Sequence, residues 1–203
     1  MKTTRRSFIR TVTAPVIAVP FILPSRTWLF PPSDRITMGF VGTGKQTQYL
    51  LSCFMPLTQV LAVCDVDTTR RNDAQQRVHR YYTENTDKGV ADCKVYNDYR
   101  ELVERKDIDT VCVATPDHWH ALPVLLSLKK GKDVYCEKPL THNISEAVDI
   151  MKAVEKYKRV FQTGSMQRSG KEFRIACEIV RNGCIGKTER VECSFGGPPK
   201  YCD

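Results

Sequence analysis

Met38-Gly39-Phe40-Val41-Gly42-Thr43-Gly44-Lys45-Gln46-Thr47 carries an apolar run into two closely spaced glycines and then into a helical pattern. Two phosphate-binding readings compete for it. Counted from Gly39, the spacing G-x-x-x-x-G-K satisfies the opening of a nucleoside-triphosphate loop. The following residue should then carry a magnesium-binding hydroxyl, and it is Gln46. That reading also leaves only Ile36 to Met38 as the preceding strand, which is too short for a central element. Counted from Gly42, the stretch reads G-x-G-x-x-Thr after a full strand, as in dinucleotide-binding turns. The third glycine of that pattern serves helix–strand packing, and Thr47 replaces it. The first two glycines make the tight turn and admit the pyrophosphate, and both are present.

Outward from this turn the chain alternates between two periodicities. Ile36 to Val41, Val60 to Cys64, Thr110 to Ala114, Asp133 to Cys136 and Arg159 to Thr163 are short apolar runs that read as buried parallel strands. Between them, helical spacing covers roughly residues 45–55, 68–83, 98–105, 118–130 and 143–157. Gly131 stops one helix, and Asn143 with Glu146 forms an N-cap signature for the next. Asp117 reads as another N-cap. This order predicts a Rossmann-type α/β fold, a doubly wound parallel sheet, over residues 34–165. Asp65 ends the second strand, 23 residues after Gly42, where a carboxylate accepts hydrogen bonds from ribose hydroxyls. Asp67 competes for that role from further along the loop. An acid here disfavours a 2′-phosphate, so NAD is preferred, while Arg70 and Arg71 keep NADP open.

Composition narrows the class. The chain has 203 residues, 41% of them hydrophobic, enough for one core and part of another. Its net charge is +8, but Lys2, Arg5, Arg6, Arg10 and Arg26 precede the first acid, Asp34. Without a basic stripe further on, nucleic acid is not an expected partner. Thr4-Arg5-Arg6-Ser7-Phe8-Ile9-Arg10 and the mildly apolar stretch to Leu23 resemble a twin-arginine export signal. Pro15 and Pro20 interrupt that stretch, which is shorter than the roughly 20 residues a membrane span needs. Residues 1–33 are therefore read as an export signal and linker. The export machinery is an expected partner, and the destination is the periplasm, with a membrane tether if the signal is retained. The nine cysteines are odd in number and lack a metal-binding spacing, and Cys64, Cys112 and Cys136 read as small buried hydrophobes in strands. His118 and His120 have no carboxylate or cysteine placed to complete a metal set with them, so no metal site is expected.

Two later strand ends add to the pattern. Val111-Cys112-Val113-Ala114 runs into Thr115-Pro116-Asp117-His118-Trp119-His120, and Val134-Tyr135-Cys136 runs into Glu137-Lys138-Pro139. With the glycine turn and Ala62-Val63-Cys64-Asp65, these resemble the Gfo/Idh/MocA oxidoreductase family over roughly residues 35–196. The resemblance implies that Gly42, Thr43, Gly44, Lys45 and Gln46 form the pyrophosphate turn, and that Asp65 holds the ribose. Thr115 and Pro116 would line the cofactor cleft, with His120 near the nicotinamide. Glu137-Lys138-Pro139 resembles the family's E-K-P motif, whose lysine touches substrate and whose proline often follows a cis peptide bond. Lys138 is accordingly the expected catalytic residue, with His120 a second candidate whose alternative reading is packing. Gln167 and Arg168 would lie at the cofactor and substrate mouth.

The same resemblance sets the expected activity. It implies an NAD(P)-dependent oxidoreductase moving hydride to or from a secondary alcohol of a sugar, cyclitol or related polyol. An NAD-dependent glycoside hydrolase acting by transient oxidation is a second reading, and a non-catalytic dinucleotide-binding protein a third. After Gly164 the pattern changes: Glu172 to Asn182 reads as a helix closed by Gly183, and Lys187 to Phe195 alternates like a half-buried strand. A lone strand with unpaired edges is unstable, so residues 166–203 are read as the start of a truncated α+β substrate domain. Oligomerisation is expected when that domain is present.

Overall fold

The computed structural model describes residues 35–85, 92–194 and 196; the export-signal reading falls outside them. Six strands form one parallel sheet: β1 (Thr37–Val41), β2 (Gln59–Cys64), β3 (Lys94–Tyr96), β4 (Thr110–Val113), β5 (Asp133–Cys136) and β6 (Phe161–Thr163). Their order is β3-β2-β1-β4-β5-β6, so the direction of winding reverses between β1 and β4. In such a sheet the crevice outside the C-terminal strand ends at the reversal is where ligands bind. The register runs Phe40 beside Val63 on one side and Cys112 on the other, which sets the ends of β1, β2 and β4 level.

Both faces are covered, which is why the strands are apolar runs instead of alternating ones. Phe40, Val60, Val63 and Cys112 pack beneath α1 (Lys45–Phe54) and α2 (Thr68–Asn85). Val41, Val111, Val113 and Val134 pack beneath α3 (Tyr99–Glu104), α4 (Ala121–Lys129) and α5 (Ile144–Tyr157). Caps fix the helix starts: Asp98 accepts from the Arg100 N–H, and Asn143 from the Glu146 N–H, each satisfying a donor the helix leaves free. The predicted helix over 118–130 divides into a 3₁₀ turn, Asp117–Trp119, and α4.

Two expectations are corrected. β3 is an edge strand of three residues that periodicity did not reveal, because Lys94 and Val95 stay exposed and the apolar signal is too short. Lys187 to Ser194 is not a strand: it follows α6 (Lys171–Arg181) as exposed, irregular chain. No strand among the described residues lies beside it to accept ladder hydrogen bonds, so alternation alone does not make it one. Phe195 lies outside the described residues. No described helix is long and apolar enough to cross a membrane.

The strand cysteines are buried as expected, joined by Cys93, and the eight described cysteines are all free. Burial pushes the thiols of Cys64, Cys93 and Cys136 up to about 12, and that of Cys112 well above its usual value. Only the thiolate reacts, and a raised value keeps these groups protonated at mild alkaline pH. At pH 8, iodoacetamide is therefore expected to label Cys53, Cys177, Cys184 and Cys193 in the folded protein and to spare the buried four. Peptide mapping that found Cys112 labelled as fast as Cys53 would show this core to be open.

Candidate functional site

The first turn is built on a close approach. Gly42 has φ +86°, and a Cβ there would stand 2.7 Å from the carbonyl carbon and oxygen of Ala114 and from the Thr115 nitrogen. Only glycine lets the turn lie against the end of β4 in that conformation. Gly42 donates its N–H to the Cys64 carbonyl at 2.9 Å, which ties the same turn to the end of β2. Thr47, the departure from the three-glycine pattern, is buried and donates its hydroxyl to the Gly42 carbonyl at 2.5 Å. A hydroxyl thus anchors the turn that the pattern's third glycine would only have packed against.

Gly44 differs from Gly42. Nothing lies within 4 Å of where its Cβ would be. It caps α1 with no side-chain hydrogen bond, and the first turn of that ten-residue helix holds no acid. Free backbone N–H groups and the helix dipole therefore face open space, the arrangement that receives a phosphate.

Asp65 stands across the turn. Its Oδ2 accepts from the Thr43 N–H at 2.7 Å and the Thr43 hydroxyl at 3.0 Å, and its Oδ1 from the Asp67 N–H at 2.9 Å. Thr43 is therefore buried framework that orients the carboxylate, while Asp67 caps its own loop by accepting from Thr69 and Arg70. Oδ1 keeps room for a further donor. Arg71 donates to the Asp65 carbonyl at 3.0 Å and to Asn97 Oδ1 at 2.8 Å, so it braces the loop instead of facing a ligand. Arg70 borders the cleft and pairs with Asp67 at 3.5 Å.

These elements enclose a cleft of about 650 Å³. Of the residues singled out in the sequence, Gly42, Gly44, Lys45, Gln46, Asp65, Thr115 and Pro116 line it. Within it the Thr115 hydroxyl is buried and has no hydrogen-bond partner. Such an orphan is costly unless a ligand supplies one. The fold adds residues the sequence did not single out, namely Asn97, Asp98, Tyr99 and Arg100 from the β3–α3 junction, and Trp119, whose position in the sequence reads as core or cleft wall, lines the cleft too. Trp119 is 47% exposed on the cleft wall, which makes it a built-in fluorescent reporter of occupancy.

The remaining candidates lie off this cleft. His120 is 1% exposed, with Nδ1 2.8 Å from the Pro139 carbonyl and Nε2 2.7 Å from the Thr115 carbonyl. Both ring nitrogens are occupied by backbone oxygens, so the expected role beside the nicotinamide is corrected to a buried brace between two strand-end loops. Lys138 is exposed at the end of β5, and its peptide bond to Pro139 is cis. Glu137 is buried behind Gln46, which donates to it at 3.1 Å. Gln167 is exposed on a 3₁₀ turn, Met166–Ser169, and does not line the cleft. No group of three or more metal-ligating side chains occurs among the described residues.

Replacing Asp65 with alanine removes a charged acceptor, a loss worth about 1–3 kcal/mol. NAD affinity is expected to fall roughly 5- to 150-fold, read as quenching of Trp119 fluorescence. Unchanged affinity would remove Asp65 from the site.

A parallel sheet reversing at β1 and β4, a two-glycine turn on a helix N-terminus and an acid at the end of β2 together define a dinucleotide-binding domain. Residues 36–165 match the model of the GFO_IDH_MocA oxidoreductase family, NAD-binding Rossmann fold, and the chain belongs to that family. It is 31% identical over 158 residues to inositol 2-dehydrogenase of Rubrobacter xylanophilus, covering 76% of this chain and 42% of that protein. A glycosyl hydrolase family 109 protein of Shewanella pealeana is 25% identical over 171 residues, 81% of this chain and 36% of its own length. Among solved structures, myo-inositol dehydrogenase of Lactobacillus casei, in complex with NAD(H) and myo-inositol, superposes with a TM-score of 0.62 at 28% identity. That match covers 75% of this chain and 43% of that one. The chain thus spans less than half the length of these relatives.

Proposed function

We propose that the chain serves an NAD-dependent oxidoreductase that moves hydride to or from a secondary alcohol of a cyclitol, sugar or related polyol. The observation that carries this reading is the cleft itself: a glycine turn seated on the end of β4, with Asp65 on one side of it and the unpartnered Thr115 hydroxyl on the other. The N–H groups at the start of α1 would hold the pyrophosphate and Asp65 the adenosine ribose. NAD, when bound, supplies the hydride acceptor or donor. Lys138 donates a hydrogen bond to the reacting oxygen and holds the negative charge that develops there. The inositol dehydrogenases among the relatives support a cyclitol as first substrate to try.

The Shewanella pealeana relative favours one second reading, a glycoside hydrolase. The two part on a single assay with the full-length protein that the gene specifies. Net formation of NADH from myo-inositol supports the dehydrogenase, and release of aglycone from a p-nitrophenyl glycoside without net NADH supports the hydrolase. Absence of NAD binding by a folded protein would sink both.

Three further parts of the proposal rest on sequence. Export by the twin-arginine route to the periplasm is supported by Arg5-Arg6-Ser7-Phe8, and fractionation of a folded reporter fused behind residues 1–33 checks it. Residues 166–203 open a substrate domain, supported by the change of pattern after Gly164. Association of copies through that domain is to be read from the solution mass of the full-length protein.

A further inference from the structure

Glu137 is 4% exposed, and all its partners are neutral. Its Oε1 accepts from Gln46 Nε2 at 3.1 Å and from the Tyr135 hydroxyl at 3.2 Å, and its Oε2 from the Lys138 N–H at 3.1 Å. Three donors and no acceptor suit an ionised carboxylate. Gly164 closes the wall behind it: a Cβ there would stand 2.7 Å from the Tyr135 hydroxyl and 2.9 Å from the Glu137 carboxyl. Among the described residues no cation forms an ion pair with it, although buried charges in folded proteins are ordinarily paired. The side chain of Lys138, its chain neighbour, is exposed instead.

The carboxylate also has a definite place in the crevice. Asp65 marks the adenosine half at the end of β2, so the other half of a dinucleotide crosses the reversal toward β4, β5 and β6. Glu137 immediately follows β5, directly behind Gln46 on the cleft wall. Its negative field is felt nearby: the Tyr135 phenol and the Cys136 thiol are raised first by burial and next by Glu137.

Resting on the NAD-binding reading, we propose that Glu137, locked by Gln46 and Tyr135, is the fixed countercharge for the oxidised nicotinamide ring and makes the site prefer NAD⁺ over NADH. The two forms differ at that ring by one positive charge. A buried anion therefore attracts one form and leaves the other unaffected, whereas the pyrophosphate and adenosine contacts are common to both. The preference is a property of binding and needs no turnover to be seen.

The test compares the dissociation constants of NAD⁺ and NADH, by Trp119 quenching and by NADH fluorescence, for the wild type, Glu137→Gln and Gln46→Lys. The lysine variant brings a cation to the carboxylate from a half-exposed position in the first turn of α1, so it neutralises the charge without removing a buried group. At separations of several ångströms and an effective dielectric near 20, each variant should shift the NAD⁺/NADH affinity ratio toward NADH by roughly tenfold or more. NADH binding itself should stay within about twofold in Glu137→Gln, since that form carries no ring charge. If Glu137→Gln does not fold, Gln46→Lys alone decides. A wild type that binds both forms, with an unchanged ratio in the folded variants, overturns the countercharge and leaves NAD binding intact. A wild type that binds neither form overturns the NAD reading as well.

Discussion

Gly42→Ala is expected to weaken NAD binding at least 100-fold and to lower stability by about 2–5 kcal/mol, the sum of a left-handed backbone for a side-chain-bearing residue and an overpacked contact. The obstacle is backbone, not a movable side chain. The added methyl would meet Ala114 and Thr115 at 2.7 Å, so either the turn leaves β4 or φ leaves +86°. Both changes swing the start of α1 away from the crevice. Gly44→Ala is the control: its φ of −69° suits alanine and its surroundings are open, so stability should hold within about 0.5 kcal/mol. NAD affinity should still fall there, because the methyl occupies the space a pyrophosphate needs. Urea unfolding and Trp119 quenching read the two quantities separately. Wild-type stability and affinity in Gly42→Ala would mean that the close approach does not shape the site.

The contrast between these glycines also shows how far the site was legible in the sequence. Gly42 and Asp65 could be read because local pattern, a strand ending in a turn, is what places them. The four longer strands, β1, β2, β4 and β5, were legible for the same reason: burial on both faces writes a continuous apolar run. β3 was not, since an edge strand of three residues with Lys94 and Val95 exposed writes almost none. Its absence from the reading hid Asn97 and Tyr99, which reach the cleft only because β3 pairs with β2. Lys187 to Ser194 failed in the opposite sense. Its alternation is real, but a strand is a relation between two segments, and one segment cannot show it. His120 is the sharpest case. What fixes it is the Pro139 carbonyl, 19 residues away, and a contact of that range leaves no local trace.

On the proposed reading as a polyol dehydrogenase, with myo-inositol as trial substrate, Lys138→Met is expected to reduce turnover by roughly 10²–10³, the usual cost of losing one donor to a developing oxyanion. NAD affinity should stay within about twofold. The separation follows from place: Lys138 lies in the loop after β5, outside the residues that line the cleft, so its loss leaves Gly44, Asp65 and Thr115 where they are. Its backbone is nonetheless held firmly. The N–H donates to Glu137 Oε2, and the carbonyl of Pro139 lies against the His120 ring, which reaches back to Thr115 on the cleft wall. A flexible side chain thus stands on a fixed base, and that fixed origin lets a single ammonium be aimed at one oxygen of a polyol. Lys138→Arg should restore only part of the rate, since a planar fork does not reproduce a compact point charge on a shorter reach. The full-length protein with NAD and myo-inositol is the material for the assay, with kcat, KM and NAD affinity measured on each variant. Full turnover in Lys138→Met would assign the chain a dinucleotide-binding role in which this lysine has no part in the chemistry. A fall in kcat with unchanged NAD affinity would place the chemistry at the end of β5, on the side of the crevice away from Asp65.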